Sequence, residues 1–258
     1  MAPDAPDQRA FRMVPVRYLA PNLITLLALC SGVTAIKLAF EGRFEIAVSA
    51  VILAIFLDAV DGRLARYLKG TSRFGAELDS LADFVNFGVA PAVLLYIYSL
   101  NSIRTTGWIV CLMLAIACAL RLARFNVALD DPDKPAFSNA FFHGIPAPAG
   151  AGLALVPFYL GFLDIVPDGH DWARAYAPYL VLVAILMVSR VPTFSGKIAT
   201  KVPGDMVLPI LAGGALLVIC LISFPWETLL LIAAVYLALI PVSWINHRKR
   251  KRAHQMQP

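Results

Sequence analysis

The segment that decides the fold is FLDAVDGRLARYLKGTSRFGAELDSLADFVNFG, Phe56 to Gly88, which places four aspartates within apolar sequence. The apolar run from Ile46 to Leu57 has 12 residues. As a helix it rises only about 18 Å, too little for a hydrocarbon core of about 30 Å. The acidic stretch must therefore complete this span, and a further span begins near Leu78. We expect all four carboxylates to lie at a similar depth, near one boundary of the membrane.

The composition indicates a polytopic membrane protein. The chain has 258 residues, of which 59% are apolar and 15% charged, and its mean hydropathy is +0.73. A soluble globular domain of this size needs more polar surface. We predict an all-α, polytopic helical bundle in a single domain, residues 1–258, with a short N-terminal segment (1–18) and a basic tail (247–258). About eight windows are long enough to span a bilayer: 19–39, 45–66, 78–100, 107–127, 146–164, 176–192, 206–224 and 226–245.

The distribution of basic residues predicts the orientation. With an even number of spans both termini share one side, and that side holds all but four of the 22 basic residues. The remaining four are Lys37, Arg43, Arg104 and Arg174. Because cytosolic loops are rich in Lys and Arg, both termini are expected in the cytosol. This bias also explains the net charge of +5 without a nucleic-acid partner, and the tail HRKRKR is suited to contact anionic membrane lipids.

Two further features carry no catalytic signal. The four cysteines, Cys30, Cys111, Cys118 and Cys220, fall inside predicted spans, where a thiol acts as a small apolar side chain. The segment from Leu129 to Gly150 is rich in turn residues and is expected to be a cytosolic loop. His143 within it is interpreted as a loop residue.

Helical periodicity puts the aspartates on two facing stripes. At about 100° per residue, Asp58 and Asp61 share a narrow face with Gly62, Ala65 and Arg66. On the next helix Asp79 and Asp83 share a face with Gly75 and Asn86. Small residues allow close helix packing, but they also let a bulky ligand approach the backbone. Their alignment with the carboxylates favours a ligand pocket.

Four converging carboxylates require a cation. An aspartate in mid-helix within lipid costs about 2.5–3.5 kcal/mol, and like charges repel one another. Arg66 can balance one of them. Oxygen ligands alone are what hard divalent ions prefer, whereas zinc would favour His or Cys. We infer one or two Mg²⁺ or Mn²⁺ ions.

These residues spell a known pattern. Asp58-x-x-Asp61-Gly62-x-x-Ala65-Arg66, eight residues, Gly75, three residues, Asp79, three residues and Asp83 resembles the complete signature of the CDP-alcohol phosphotransferase family. Within it, the chain is similar to the membrane-bound phosphatidylserine synthases of bacteria and archaea from Pro21 to about Lys197. Supporting stretches are PNLIT (Pro21 to Thr25), DSLADFVNFGVAPA (Asp79 to Ala92), RLARFN (Arg121 to Asn126), GIPAPAGA (Gly144 to Ala151) and LMVSRVPTFSGK (Leu186 to Lys197).

The resemblance implies a reaction and a set of roles. A hydroxyl, that of L-serine, would attack the lipid-bearing phosphorus of CDP-diacylglycerol and displace CMP. Asp58, Asp61 and Asp79 would hold metal, and Asp83 would both hold metal and act as the base. The nucleotide and pyrophosphate would meet Gly62, Ala65, Arg66 and Gly75, with Asn22 and Thr25 as contacts from the first span. The resemblance also implies two ions, a homodimer, and a bacterial or archaeal cytoplasmic membrane with the site facing the cytosol.

Serine needs a cation for its carboxylate and acceptors for its ammonium group, and arginine suits a carboxylate. The candidates are Asn86, Arg121, Arg124, Asn126 and Lys197, although some could instead be positive-inside anchors.

Two alternatives stay open. The acceptor could be glycerol 3-phosphate or inositol phosphate, although the sequence SLADFVNFG around Asp83 offers no basic residue for a phosphate. An ion-coupled transporter would instead carry acids near the midplane, discontinuous helices and repeated halves.

Overall fold

The protein, seen here in a computed structural model, is described over residues 16–70, 72–129, 141–166, 169–189, 192–194 and 204–255. This part of the chain is almost entirely helical, as predicted. The elements are, in chain order, α1 (Val16–Phe40), α2 (Phe44–Tyr67), α3 (Arg73–Asp83), a π-helical segment (Phe84–Val89), α4 (Ala90–Tyr98), a 3₁₀ turn (Leu100–Ile103), α5 (Arg104–Leu129), β1 (Phe141–His143), α6 (Ala147–Ala154), α7 (Val156–Phe162), α8 (Ala173–Val188), β2 (Pro192–Phe194), α9 (Gly204–Ser223) and α10 (Pro225–Gln255).

Four helical segments are long and apolar enough to cross a membrane: Leu19–Phe40, Arg73–Tyr98, Leu100–Ala128 and Met206–Ser223. Three shorter apolar segments accompany them: Ala147–Phe162, Ala173–Val188 and Pro225–Ile240. Helix α2 has 24 residues and carries the first two aspartates in its second half. The apolar segments thus overlap the windows predicted from the sequence, although four of them begin before the predicted window, and they indicate a membrane protein.

The segment from α3 to α4 is one continuous helix with a wide turn in its middle. At Phe84–Val89 the helix is of the π type, and the Ala90 N–H donates to the Val85 carbonyl, five residues back. The next residue, Pro91, has no N–H to donate, so the regular series of helical hydrogen bonds to the carbonyl four residues back is interrupted there. The wide turn falls directly after Asp83.

The window 146–164, predicted as one span, is divided into α6 and α7. The break lies at Leu155, two residues before Pro157. Proline cannot donate to the carbonyl four residues back, that of Leu153. The Tyr179 hydroxyl of α8 donates to this carbonyl instead, at 2.8 Å. A side chain from a neighbouring helix therefore satisfies the group that the proline leaves open.

The prediction of a loop from Leu129 to Gly150 is wrong at its C-terminal end. Residues 130–140 lie outside the described part, but Phe141–His143 form β1, which pairs antiparallel with β2 in the register Phe142 to Thr193. Helix α6 then begins at Ala147, with Pro148 in its first turn, where a proline is tolerated. His143 therefore lies in a strand and not in a loop. Pairing between strands so far apart in the sequence has no local signal, so the turn-rich composition was misleading.

The bundle has two ends, which we name by their residues. The aspartate end contains Asp58, Asp61, Asp79 and Asp83. The distal end contains residues 40–44, 98–106, 162–166 and 169–174, where α1, α4 and α7 finish and α2, α5 and α8 begin.

The distal end is closely packed. The Tyr98 ring stacks on Phe158 at 4.3 Å between centroids and meets Phe44 edge-on at 5.2 Å. A Cβ atom at Gly107 would overlap the Leu100 carbonyl, and one at Gly161 would overlap the Tyr98 hydroxyl. Glycine is required at both positions because backbone and ring occupy the space that a side chain needs.

Candidate active site

Helix α2 brings two aspartates to the aspartate end. It continues through Asp58 and Asp61 to Tyr67 without interruption, as the length argument predicts. Asp61 is buried and 4% exposed, whereas Asp58 is half-buried. The Thr25 hydroxyl of α1 donates to a carboxylate oxygen of Asp61 at 2.6 Å. A hydrogen bond of this length to a carboxylate is of the strong, charge-assisted kind, and it fixes the Asp61 rotamer.

Helix α3 brings the other two. Ser72 caps its N-terminus, and its side chain accepts a hydrogen bond from the Gly75 N–H at 3.0 Å. A Cβ atom at Gly75 would lie 2.8 Å from the Asn22 side-chain oxygen of α1, so this glycine lets α3 start against α1. Asp79 and Asp83 follow within the next two turns, both half-buried.

The four carboxylates converge as the periodicity predicts. Asp58, Asp61 and Asp79 each offer an oxygen atom, and these three atoms lie within 4.8 Å of one another. Asp83 meets Asp58 side chain to side chain, within hydrogen-bonding reach. Such a group of like charges in a partly buried position is unfavourable unless a cation is shared among them.

The geometry fits a divalent metal ion. Mg²⁺ binds oxygen at about 2.1 Å, so two opposite ligands of one ion are about 4.2 Å apart. The observed limit of 4.8 Å is close to this value, and a small rotation of a carboxylate closes the difference. The described cluster contains only carboxylate ligands, as hard cations prefer. The acidic cluster can therefore hold a divalent metal.

One side of the cluster is open. A Cβ atom at Gly62 would meet only the Arg66 guanidinium, at 4.0 Å, and nothing nearer. Close helix packing therefore does not explain this glycine. Arg66 is exposed and its guanidinium reaches back along the helix toward Gly62, while Ala65 is half-buried. Small side chains and one cation thus border a free space next to the carboxylates.

Comparison with protein families identifies the family to which this chain belongs. The family model described as CDP-alcohol phosphatidyltransferase matches residues 18–189, and a second model, CDP-alcohol phosphatidyltransferase 2, matches residues 205–241. The chain belongs to the CDP-alcohol phosphatidyltransferase family. The resemblance inferred from the aspartate motif is confirmed. Members of this family generally use a divalent metal, in agreement with the cluster.

Similar curated proteins come from bacteria and archaea. A Mycobacterium tuberculosis protein named CDP-diacylglycerol–serine O-phosphatidyltransferase is 38% identical over 234 residues, 89% of this chain and 79% of that protein. A Helicobacter pylori protein of the same name is 35% identical over 231 residues, covering 88% and 92% of the two chains. An archaetidylserine synthase of Methanothermobacter thermautotrophicus is 31% identical over 176 residues, covering 66% and 67%.

In this CDP-alcohol phosphatidyltransferase the residues suggested for serine recognition differ in burial and in their hydrogen-bond partners. Arg121 on α5 is buried, 7% exposed. Arg124 donates to the Val188 carbonyl at the end of α8, at 2.6 Å. The Asn126 amide donates to the Ser80 hydroxyl at 2.9 Å, next to Asp79 in the sequence. Arg124 and Asn126 thus also tie α5 to α8 and to α3. Lys197 lies outside the described residues.

Asn86 is the least expected of these side chains. It lies in the π-helical segment, is fully buried, and packs so closely on α1 that a Cβ atom at Gly32 would overlap its amide oxygen. Among the described residues, neither its amide nitrogen nor its amide oxygen has a hydrogen-bond partner. A buried unsatisfied polar group costs about 1–3 kcal/mol.

Sequence reasoning missed three features of this site. Ser72 follows the N-cap rule and could have been found from its type before the α3 pattern. Pro91 is a sequence signal for an irregular helix, from which the π-helical turn could have been suspected. Ser80, the partner of Asn126, carries no signal because a lone serine on a helix is usually solvated or bonded to its own backbone.

Proposed function

We propose that this protein is a membrane-embedded CDP-diacylglycerol–serine O-phosphatidyltransferase, which makes phosphatidylserine and CMP. The observation that carries the proposal is the convergence of the four motif aspartates beside an open space bordered by Gly62 and Arg66. Two of the relatives described above are named for transfer to serine, and the third for the synthesis of a serine lipid. This agreement favours serine over glycerol 3-phosphate or inositol phosphate.

The reaction transfers a phosphatidyl group between two oxygen atoms. The serine hydroxyl oxygen forms a bond to the lipid-bearing phosphorus, and the bond from that phosphorus to the oxygen of CMP breaks. The hydroxyl proton passes to the Asp83 carboxylate, which acts as general base; a positioned base contributes about 10²–10⁴-fold. The negative charge that leaves with CMP requires stabilisation by cations.

Asp58, Asp61, Asp79 and Asp83 are proposed to hold two divalent ions, Mg²⁺ or Mn²⁺. When bound, these ions neutralise the pyrophosphate and the departing CMP. The Thr25 hydrogen bond keeps Asp61 oriented for this role, and Asp83 is held beside Asp58.

The open side of the cluster is proposed to receive CDP-diacylglycerol. Gly62 and Ala65 leave room for the nucleotide, and Arg66 supplies a cation to the pyrophosphate. Gly75 and Asn22 lie together at the start of α3 and, with Thr25, border the same substrate from α1.

Serine is proposed to bind on the α5 side of the cluster. The Asn126 amide donates to Ser80, the residue after Asp79, and so lies near the acids. Arg121 and Arg124 are the cations on this side, and Lys197 is a further candidate. Asn86 has two unsatisfied amide atoms one helical turn beyond Asp83, which a polar substrate could satisfy after a small rearrangement of α1.

The membrane arrangement of the proposal has eight spans in one domain, residues 1–258. Helix α2 and the seven apolar segments account for the eight. Both termini and the aspartate end would face the cytosol of a bacterial or archaeal cell, so that the nucleotide enters from water while acyl chains stay in the bilayer. A homodimer is proposed from the family resemblance and is tested by the mass of the purified particle.

The testing experiment is CMP release from CDP-diacylglycerol by the purified protein with Mg²⁺ or Mn²⁺, comparing L-serine, glycerol 3-phosphate, inositol phosphate and no acceptor. We expect CMP and phosphatidylserine with serine only. Release with another alcohol would keep the aspartate roles and overturn the choice of acceptor. Absence of release with every acceptor, together with solute uptake into proteoliposomes, would overturn the enzyme and support a transporter.

A further inference from the structure

The distal end contains a cavity that the transfer reaction does not use. Its volume is about 420 Å³, and it lies between the starts of α5 and α8. The lining residues are Ser102, Ile103, Arg104, Thr106, Arg174 and Ala177. The continuous helix from Asp83 to Tyr98 separates this end from the acids by roughly 20 Å at about 1.5 Å per residue.

The cations of this cavity have no acidic partner among the residues that the structure describes, in contrast to Lys37 and Arg43 nearby. Lys37 and Arg43 both contact Glu41, at 2.9 Å and 3.7 Å. The hydrogen bond and charge of Lys37, with a smaller contribution from Arg43, lower the pKa of Glu41. Arg104 and Arg174 are exposed, and no described carboxylate lies within 4.0 Å of either guanidinium. This includes Asp171, three residues before Arg174.

The donors in the cavity suit an anion with several oxygen atoms. Each guanidinium presents five N–H groups in a planar fork, which matches phosphate oxygens. The exposed Thr106 hydroxyl makes no hydrogen bond to a described residue. Ser102 already donates to backbone carbonyls at 2.8 Å and 3.2 Å, so it is not a further donor. The described lining residues include no acid, so they suit an anion better than a cationic headgroup.

The surroundings place this cavity at the level of lipid headgroups. Trp108, one turn into α5, is 46% exposed and meets Tyr96 edge-on at 5.3 Å. Trp172, just before α8, is 49% exposed. Tryptophan and tyrosine concentrate where membrane meets water. Below Trp108 the exposed face of α5 is apolar, with Ile109 51% and Ile116 56% exposed, and can lie along acyl chains.

We propose that the cavity between Arg104 and Arg174 binds the phosphate of an anionic phospholipid in the leaflet opposite the aspartate end. One place combines two arginines and a hydroxyl that have no partner among the described residues, a described lining without acids, and an apolar path for the acyl chains. The site is separate from the proposed transfer reaction and does not depend on it.

The experiment measures lipid binding to the full chain in mild detergent by native mass spectrometry, with phosphatidylglycerol as the probe and phosphatidylcholine as the zwitterionic comparison. The variants are Arg104→Gln, Arg174→Gln and the double variant. Arg43→Gln removes the same charge at the same end from a paired residue and is the matched control. We expect phosphatidylglycerol to be retained by the native chain and by Arg43→Gln, each single variant to raise its Kd about tenfold, and the double variant to lose it.

Three results would overturn the proposal: equal retention of both lipids, an equal loss in Arg43→Gln, or no loss in the double variant. A separate arm titrates inorganic phosphate and follows tryptophan fluorescence. Tight phosphate binding without retention of phosphatidylglycerol would assign the cavity to a soluble anion and overturn the lipid as occupant.

Arg104 adopts a φ of 50°, and its variants could fail to fold for that reason. In that case Arg174→Gln, at an ordinary helical position, decides whether the cavity binds the lipid. CMP release is expected to be unchanged in all variants, which separates this test from that of the transfer reaction.

Discussion

At the distal end Gly107 and Gly161 are enclosed by the Leu100 carbonyl and the Tyr98 ring, whereas at the aspartate end Gly62 faces open space beside Arg66. The charges differ in the same way. Near Glu41 at the distal end the charges are paired, since Lys37 and Arg43 both contact this residue, while four carboxylates at the aspartate end meet without a described cation among them. The cavity between Arg104 and Arg174 is the exception at the distal end, because these two cations have no described acidic partner. Glycine thus serves close packing at the distal end and ligand access at the aspartate end. Close packing and satisfied groups indicate scaffold, and open space beside unbalanced charge indicates a ligand site.

The strongest test of this contrast is Asp79→Asn. The change keeps the shape of the side chain and removes a charge from the cluster, so we expect activity to fall by about 10³-fold, as when a charge-stabilising group is lost. Thermal unfolding in detergent should not move to lower temperature, because the change also relieves repulsion. Glu77→Gln, on the exposed face of the same helix, is the matched control and should keep full CMP release. Activity within a few-fold of native in Asp79→Asn would contradict the metal role.

The second test, Gly107→Ala, is expected to break the scaffold. The added methyl group overlaps the Leu100 carbonyl, a backbone atom that cannot rotate away, so we expect the free energy of unfolding to fall by about 3 kcal/mol, the upper range for overpacking. Gly213→Ala on α9, where a Cβ atom meets nothing within 4 Å, should be neutral or slightly stabilising. Equal stability of the two variants, measured by denaturant titration, would show that the distal end is looser than described.

The third test is Gly62→Ala. Since no packed atom occupies the space, stability should match that of the native chain, while the methyl group intrudes on the proposed nucleotide position. We expect KM for CDP-diacylglycerol to rise about tenfold, equivalent to about 1.4 kcal/mol, with Gly213→Ala again as the control. A loss of stability without any change in KM would show that Gly62 serves helix packing and not nucleotide binding.

The smallest expected effect is that of Ser72→Ala. The variant loses the N-cap of α3, which is worth about 1 kcal/mol, and lets the first turn fray next to Gly75. We expect CMP release to fall about five-fold, with little change in global unfolding. Ser49→Ala removes an exposed hydroxyl bonded only to its own helix and should leave CMP release unchanged. An effect of equal size in both variants would contradict the role of the cap.

The sequence alone determined the helical class, the family and the convergence of the four aspartates. Each follows from local rules: hydropathy sets the spans, and helical periodicity places Asp58 with Asp61 and Asp79 with Asp83. The motif spacing is rigid enough that the two pairs had to meet once the helices packed antiparallel.

Other features were decided only by tertiary structure. The strand pair β1–β2, the break between α6 and α7 and the burial of Asn86 depend on partners distant in sequence: β2, Tyr179 and Gly32. Whether a glycine serves packing or ligand access also depends on its neighbours. The residue type shows that the backbone is free to adopt many conformations, but it does not show which atoms lie next to it. For the same reason the sequence could assign Arg104 and Arg174 to one side of the membrane, but only the packed helices bring both to the same cavity without a described acid to pair them.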